Sequence, residues 1–432
     1  MRQRNRLTHF LVAALLAYAG GLGAYPLDGD TYTGIARLEG YRLAQSGQAR
    51  ARIQPPGALL PLAQVDIRLR ERPDLQLPSP DPEFQQQMMK LLGRDAPRYA
   101  IAILDLTDQD HPAYAAHRAD VDFNPGSVGK LAVVIGLFHD LARAFPDVAA
   151  REAVLANTEV VANAFIHSDH HKAPFWHSRQ RRMTYRRIHV GDKANLWTWL
   201  DWMLSASSNA AAAMVQEQLI LLHHFGKAYP PSRREARRYL RETPPAVLGQ
   251  TLREAMDQGL QAAGVDTEQF RQGGFFTREG KRRAPAGSSR ADAQSLLRLL
   301  LRLEQGQVVD DFSSREIKRL LYMTQRRIRY ASSPALKDAA VYFKSGSLYK
   351  CRPEAGFRCS KYRGNKLNLL NSVAIVESPA GRDPGLFYLV VVSSNILKRN
   401  AAVAHQTLAT RIQRLMQQRH RSLEHQLVHG HD

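Results

Sequence analysis

The chain has few cysteines, few acidic residues for its number of basic ones, and no apolar run long enough to be a good membrane span. Only two cysteines occur in 432 residues, with no pair of histidines nearby, which gives little support to a zinc site. Against 60 Lys and Arg there are 40 Asp and Glu, a formal net charge of +20. Such a surface attracts polyanions, and charge alone does not choose among nucleic acid, anionic lipid and an acidic cell-wall polymer.

The longest apolar stretch lies at the N-terminus and indicates export. Arg2, Arg4 and Arg6 precede "FLVAALLAYAGGLGA", which ends in small residues and is typical of a secretory signal. We predict a signal peptide over residues 1–24 and a periplasmic or extracellular protein, in which nucleic acid is the least expected partner. No cysteine follows the cleavage sites to carry a lipid, so membrane attachment would require an uncleaved segment.

The two cysteines, Cys351 and Cys359, flank "RPEAGFR" between strand-like sequences. One close pair of cysteines in an exported chain predicts a local disulfide within a hairpin. The alternative is a pair of buried thiols.

The rest of the composition, 44% hydrophobic and 23% charged, fits a globular chain with one large core or two ordinary ones. Residues 25–80 alternate short apolar and polar pieces and end in the proline-rich "LPSPDP", which predicts a small strand-rich appendage and a linker. Residues 81–416 form the predicted main domain, and a polar, histidine-containing tail is predicted over 417–432.

Within the main domain, predicted strands lie at both ends and helices in the middle. "RYAIAILDL" and "AYAAHRADV" read as strands before the helical block, and three more follow it: "AAVYFKSGSLYK", "LLNSVAIVE" and "LFYLVVVSSNIL". A final helix follows them. This order predicts one antiparallel sheet built from both ends of the chain, with the helical block inserted between them.

A serine and a lysine stand at the start of the first long helix, in "FNPGSVGKLAVVIGLF". Ser127 falls near the first turn, where unpaired N–H groups favour developing negative charge. Lys130 is three residues on, so both side chains share one helix face. A buried Lys130 would have a lowered pKa and could take the proton of Ser127, making a nucleophile.

Alone, this pattern is weak, and Ser347 to Lys350 repeats it. Two further motifs strengthen it: "SSN" at residues 207–209, just before a helix, and "KSG" at residues 344–346, on the first strand after the block. A second Ser-x-Asn, at residues 393–395, lies elsewhere in the chain.

Taken in order, the three motifs resemble those of the penicillin-recognising serine hydrolases, which include class A β-lactamases and DD-peptidases. The resemblance covers about residues 81–416, and "LSASSNAAA" is similar to the class A enzymes in particular. It implies an α+β fold with three α/β/α layers, an antiparallel sheet and an inserted all-helical subdomain at about residues 131–305.

The resemblance also implies roles for individual residues, and no cofactor. Ser127 would be the acylated nucleophile and Lys130 its activating base. Ser207 would relay a proton to the leaving nitrogen, and Asn209 would hold the amide side chain of the substrate.

The third motif would bind the substrate carboxylate. Lys344 and Ser345 would hold that group, and the small Gly346 would let a substrate lie along the strand. The backbone N–H groups of Ser127 and Ser347 would form the oxyanion hole.

Two departures from the class A pattern leave open whether water releases the acyl group from Ser127. Class A β-lactamases carry a glutamate in a Glu-x-x-Leu-Asn setting that activates the deacylating water, and this setting is absent here. Glu268 and Glu279 are the candidates in the corresponding segment. The middle residue of the second motif is Ser208, whereas class A enzymes usually have aspartate there and penicillin-binding proteins can have serine.

The motif spacings are long, and one inferred insertion, "HSDHHKAPFWHSRQRRMTYRR", contains four histidines with Asp169. A metal site there is one interpretation, and the favoured one is a loop at the rim of the cleft that touches substrate or wall polymer through Trp176 and arginines. The four histidines are His167, His170, His171 and His177.

Three functions follow from these observations. The favoured one is a β-lactamase-like hydrolase acting on a β-lactam amide through an acyl-enzyme on Ser127. The second is a DD-peptidase that acts on D-alanyl peptides of peptidoglycan and is trapped by penicillins. The third is a binding or sensing module with slow turnover, which would have little need of all three intact motifs.

Overall fold

A computed structural model describes residues 26–324 and 327–429. The predicted signal peptide, residues 1–24, lies outside the described residues. Among those described, no helix combines the length and the apolar composition that crossing a membrane requires.

The described part of the chain contains thirteen α-helices and nine β-strands. The helices are α1 (Asp30–Thr33), α2 (Arg37–Gln45), α3 (Pro82–Leu92), α4 (Lys130–Ala144), α5 (Val148–Asn157), α6 (Leu196–Leu204), α7 (Asn209–Phe225), α8 (Arg233–Glu242), α9 (Pro245–Ala262), α10 (Arg278–Arg283), α11 (Ala293–Glu304), α12 (Asp311–Tyr322) and α13 (Ala401–His429). The strands are β1 (Tyr99–Asp105), β2 (Ala113–His117), β3 (Glu159–Val161), β4 (Ala173–His177), β5 (Arg182–Arg186), β6 (Lys193–Asn195), β7 (Ala340–Lys350), β8 (Leu367–Ser378) and β9 (Leu386–Asn395).

The main sheet has five strands in the order β2-β1-β9-β8-β7, all antiparallel. Strand β1, from before the helical block, pairs with β9, from near the end of the chain, so that Tyr99 lies opposite Ser394. The prediction of one sheet assembled from both ends of the chain is therefore confirmed.

Apolar side chains cover both faces of this sheet. Along β1, Ile101 and Ile103 enter a core with α3 and α13, while Ala102 and Leu104 enter the larger core with the other helices. Successive side chains of a strand point to opposite faces, so one strand packs against two helical layers. The α+β fold with three α/β/α layers is confirmed.

The inserted block is not all-helical, which corrects the prediction. It contains two small antiparallel sheets, β3 with β6 and β4 with β5. The β4–β5 hairpin lies within the histidine-containing insertion, and it packs on α2 through Trp176, whose Nε1 donates to Glu39 Oε2 at 2.9 Å. Trp176 is thus held by α2 instead of serving as a free rim residue.

The N-terminal region is also different from the prediction of a strand-rich appendage, which was wrong. Over residues 26–80 the structure has α1, α2 and short 3-10 turns but no strand. Ile35, Leu38, Tyr41 and Ala44 recur every third residue, which is a helix-face spacing that was misread as strand alternation. Ile35, Leu38 and Tyr41 are fully buried in the larger core.

Two buried ionic contacts tie this N-terminal segment to the rest of the domain. Arg37 on α2 makes a two-pronged contact with Asp201 on α6, with N–O distances of 2.6 and 2.5 Å, and donates to the carbonyl of Met323 at 2.8 Å. Farther along, Arg68 donates to Glu377 Oε2 on β8 at 2.7 Å.

Glu377 belongs to a wider buried network. Lys318 on α12 donates to Glu377 at 2.7 Å, to Glu304 on α11 at 2.9 Å and to the carbonyl of Asp66 at 2.7 Å. Two glutamates and two cations therefore satisfy one another away from water, as buried charges must.

The C-terminal region extends the final helix beyond its predicted end. Residues 417–429, predicted as part of a polar tail, continue α13. His420 Nε2 lies 2.9 Å from Asp105 Oδ2, which attaches this part of the helix to the end of β1. Because Gln, Arg, Leu and Glu have good helix propensity, a polar composition here did not imply an irregular tail.

We predict that Arg37→Ala lowers the free energy of unfolding by about 3–5 kcal/mol, because it leaves Asp201 buried without its cation. Arg42→Ala on the same helix is the matched control: its partner contact with Asp30 is more exposed and should be worth less than about 1 kcal/mol. Chemical denaturation measures both. Equal effects of the two variants would contradict the role given to Arg37.

Candidate active site

The first part of the site is a tight turn that leads into α4. Residues Gly126–Gly129 form one 3-10 turn, and Gly126 takes a φ of +53°, a region that favours glycine. The turn is fixed to β8 because Asn371 Nδ2 donates to the carbonyl of Asn124 at 2.8 Å. Ser127 Oγ lies 2.9 Å from Lys130 Nζ.

The second motif surrounds the same amine. Lys130 Nζ is 3.0 Å from the carbonyl oxygen of Ser207 and 2.8 Å from Asn209 Oδ1. Ser208 caps α7, its hydroxyl accepting from the N–H of Ala211 at 3.1 Å. Ser207 has a φ of +57°, which is uncommon for a residue with a side chain and is often found at functional sites.

The third motif brings β7 against the turn that carries Ser127. Lys344 Nζ donates to Ser207 Oγ at 2.9 Å. A Cβ on Gly346 would stand 2.1 Å from the carbonyl of Pro125 and 2.8 Å from the N of Ser127, so only glycine permits this approach. A Cβ on Gly126 would in turn lie 3.3 Å from the N of Ser347. The backbone nitrogens of Ser127 and Ser347 therefore lie on adjoining segments.

Burial changes the proton affinity of both lysines. Lys130 is fully buried, and burial lowers its pKa to about 7, with Asp169 acting in the opposite direction and Arg329 in the same one. The pKa of Lys344 is also lowered well below its usual value, first by burial and then by Lys130 and Arg329. A buried amine that is neutral near pH 7 can accept a proton.

Asp169 is a site residue whose role the sequence did not reveal. Its Oδ2 accepts from Ser208 Oγ and from the N–H of Ala210, both at 2.8 Å, and its Oδ1 lies 2.6 Å from His171 Nδ1. Although burial opposes ionisation, these hydrogen bonds lower the pKa of Asp169. Class A enzymes usually have an aspartate where this chain has Ser208, and here a carboxylate reaches that place from Asp169, in an earlier loop. The serine at position 208 was the one sign in the sequence that the carboxylate comes from elsewhere.

Arg329 is the second residue that was missed. It lies in the 3-10 turn Arg329–Ser332, ahead of β7, and donates to Ser345 Oγ and, at 2.6 Å, to the hydroxyl of Tyr362. Among 60 Lys and Arg, one arginine before a strand carries no distinguishing local signal.

The two predicted deacylating glutamates do not contact the site. Glu268 has a side chain that is 72% exposed and pairs with Arg271 at 3.0 Å. Glu279 binds Arg282 and Arg283, which lower its pKa to about 2. This assignment is therefore corrected.

The same segment meets the site through other side chains. Phe276 places its ring 4.5 Å from Lys130 Nζ, and Gln272 packs against Gly129. The position of the segment in the chain was therefore predicted correctly, but the sequence could not show which of its side chains point into the site.

The histidines of the insertion are dispersed among separate partners. His171 contacts Asp169, and His177 Nε2 lies 2.9 Å from Thr184 Oγ1. Within residues 26–324 and 327–429, no group of three or more His, Cys, Asp or Glu side chains is arranged to hold a metal ion. Cys351 and Cys359 form a disulfide in the loop between β7 and β8.

Comparison with solved structures identifies the class of fold. The TLA-3 extended-spectrum β-lactamase is 10% identical, with 77% of this chain and 98% of that chain covered and a TM-score of 0.50. PBP-A is 13% identical over 79% and 100% of the two chains, with a TM-score of 0.49. A β-lactamase from Sphaerobacter thermophilus is 15% identical over 76% and 93%, with a TM-score of 0.46.

The chain therefore has the fold of the penicillin-recognising serine hydrolases, as its motifs led us to expect. No protein-family model and no curated protein matches it. At these identities the comparisons establish the fold alone.

We predict that Asp169→Asn lowers the pKa of Lys130 further, because a negative charge that favours the ammonium form is removed. Titration of the Lys130 amine by NMR, in protein carrying isotope-labelled lysine, measures the shift. Glu268→Gln is the control, since that exposed acid has no contact with the site. An unchanged Lys130 pKa in Asp169→Asn would contradict the assignment.

Proposed function

We propose that the protein is an exported serine hydrolase of the penicillin-binding type, which cleaves D-alanyl peptides through an acyl-enzyme on Ser127. The observation that carries the proposal is the 2.9 Å separation between Ser127 Oγ and a fully buried Lys130 amine. The disulfide between Cys351 and Cys359 supports export, because such bonds persist in oxidising compartments.

The hydrogen bonds of Lys130 explain how it can act as a base. A neutral amine has two N–H donors and one lone pair. The carbonyl of Ser207 and Oδ1 of Asn209 accept the two N–H groups. The lone pair is then directed to Ser127, whose hydroxyl proton it takes as Oγ attacks the substrate carbonyl carbon.

Charge that develops on the carbonyl oxygen would be stabilised by the N–H groups of Ser127 and Ser347. Collapse of the tetrahedral intermediate breaks the amide bond and requires a proton on the leaving nitrogen. Ser207 Oγ would deliver that proton and recover it from the Lys130 ammonium. The leaving carboxylate would bind Ser345, Arg329 and Lys344.

The second candidate is β-lactamase-like turnover, which differs only in rapid release of the acyl group by water. The isolation of Glu268 and Glu279 from the site favours the peptidase, since neither carboxylate is in place to activate that water. A β-lactam would then acylate Ser127 and remain attached. A sensing module would share this behaviour and would differ by failing to cleave D-alanyl peptides.

We expect a fluorescent penicillin to label the purified mature protein stably, and Ser127→Ala to abolish the label because the nucleophile is absent. A chromogenic cephalosporin and a D-alanyl-D-alanine peptide, assayed in parallel, follow turnover. Peptide cleavage with stable labelling supports the peptidase. Rapid cephalosporin turnover would establish the β-lactamase instead, and the absence of both label and turnover would refute the nucleophile assignment.

The acylation rate should rise with pH around a midpoint of about 7, because only the neutral Lys130 amine, present above its pKa, can accept the serine proton. Lys130→Gln should reduce the rate by about 10²- to 10⁴-fold. Lys350→Gln is the control, because Lys350 belongs to the second Ser-x-x-Lys sequence, on β7. This variant should have the wild-type acylation rate and pH profile. Stopped-flow measurement of labelling from pH 5.5 to 9 tests this, and a flat profile would contradict it.

A further inference from the structure

The loop between β7 and β8 is long, basic and adjacent to the site. Glu354, the acidic residue of this loop, already accepts hydrogen bonds from Lys398 and Asn365. From the end of β7 to the start of β8 the chain carries six basic residues: Lys350, Arg352, Arg358, Lys361, Arg363 and Lys366. The role proposed for Ser127 does not require such a loop.

The loop is held in a fixed position. The Cys351–Cys359 disulfide closes its first half. The N–H of Ala401, at the start of α13, donates to the carbonyl of Tyr362 at 2.9 Å, and the N–H of Lys398 donates to the carbonyl of Gly364 at 2.8 Å. Residues 361 and 362 are therefore presented at a defined place.

That place is directly beside the proposed carboxylate subsite. Arg329 donates to Ser345 Oγ with one terminal nitrogen and to the hydroxyl of Tyr362 with the other. Lys361 Nζ lies 5.2 Å from the centre of the Tyr362 ring. A line of polar groups thus runs outward from Lys344 through Ser345, Arg329 and Tyr362 to Lys361.

The charge of Lys361 also acts on His171. Burial and the positive charges of Lys130 and Lys361 lower the pKa of His171, although Asp169 opposes them. His171 contacts Asp169, and Asp169 accepts a hydrogen bond from Ser208 of the second motif. No carboxylate of the described residues lies within ion-pair distance of the exposed Lys361, and its charge is available to a ligand.

We propose that Lys361, positioned by Tyr362, forms a second anion subsite that recognises an additional acidic group on the leaving portion of the substrate. Ser345, Arg329 and Lys344 suffice for one carboxylate, so a substrate whose leaving portion carries a second carboxylate or sulfonate is the class this cleft fits. The inference rests on the proposed function, because the leaving portion is defined by acylation of Ser127.

Two cephalosporins form a matched pair of probes. Cefamandole and cefonicid share a mandelyl acyl chain and differ on the leaving side, where a tetrazole carries a methyl group in the first and a sulfomethyl group in the second. We expect the second-order rate constant for acylation of the wild-type protein to be about two- to fivefold higher for cefonicid, the range for an exposed ion pair. Lys361→Gln should reduce the ratio to about one, and Lys361→Arg should preserve it.

Lys366→Gln is the control for net charge, since it removes one cation from the same loop and should leave the ratio unchanged. Benzylpenicillin and carbenicillin, which differ by a carboxylate on the acyl side, test the location of the subsite. A preference for carbenicillin that depends on Lys361 would overturn the assignment to the leaving side.

The outcomes separate the two proposals. If neither cephalosporin acylates Ser127, the proposed function fails. If both acylate it and the wild-type ratio is one, or the ratio is the same in Lys361→Gln, the subsite fails while the proposed function stands.

Discussion

One nitrogen atom, Lys130 Nζ, sets the arrangement of the candidate site. The amine stands on the first turn of α4, beside Ser127, and is held by the carbonyl of Ser207 and by the side chain of Asn209 at the start of α7. Because it is fully buried, its hydrogen-bonding positions must be satisfied by protein groups. The positions of Ser207 and Asn209 follow from that requirement, and Lys344 completes the set through Ser207 Oγ.

Local patterns in the sequence were sufficient for the parts of the site that depend on neighbouring residues. A serine and a lysine three positions apart at a helix start share a face wherever that helix is placed. The short apolar runs of β1 and of β7 to β9 likewise indicated the strands of a buried sheet. The resemblance implied that the glycine of the third motif leaves room for a substrate, and the structure adds that Gly346 also makes room for the turn that carries Ser127.

Features that depend on long-range contacts could not be predicted in the same way. Asp169 and Arg329 reach the site from segments that carry no motif, and their side chains matter because of what they meet in three dimensions. The deacylating acid was expected in the segment before α11, and the acids of that segment, Glu268 and Glu279, bind arginines instead. The N-terminal segment was misassigned because a three-residue helical repeat and a broken strand alternation look alike over a short stretch.

The N-terminal segment has a consequence for how the cleft can behave. It is fastened to the helical block by Arg37 and Asp201 and to the main sheet by Arg68 and Glu377. Ser207 belongs to the helical block and Lys344 to the sheet, whereas the turn that carries Ser127 leads into α4 and also packs against β7 and β8. Because the N-terminal segment joins the helical block to the sheet, it opposes hinge motion between them, and the cleft would keep one shape when a ligand binds. A change in which ligand binds would then require substitutions of side chains along the rim of the cleft. The distances among Ser127, Ser207 and Lys344 would stay the same.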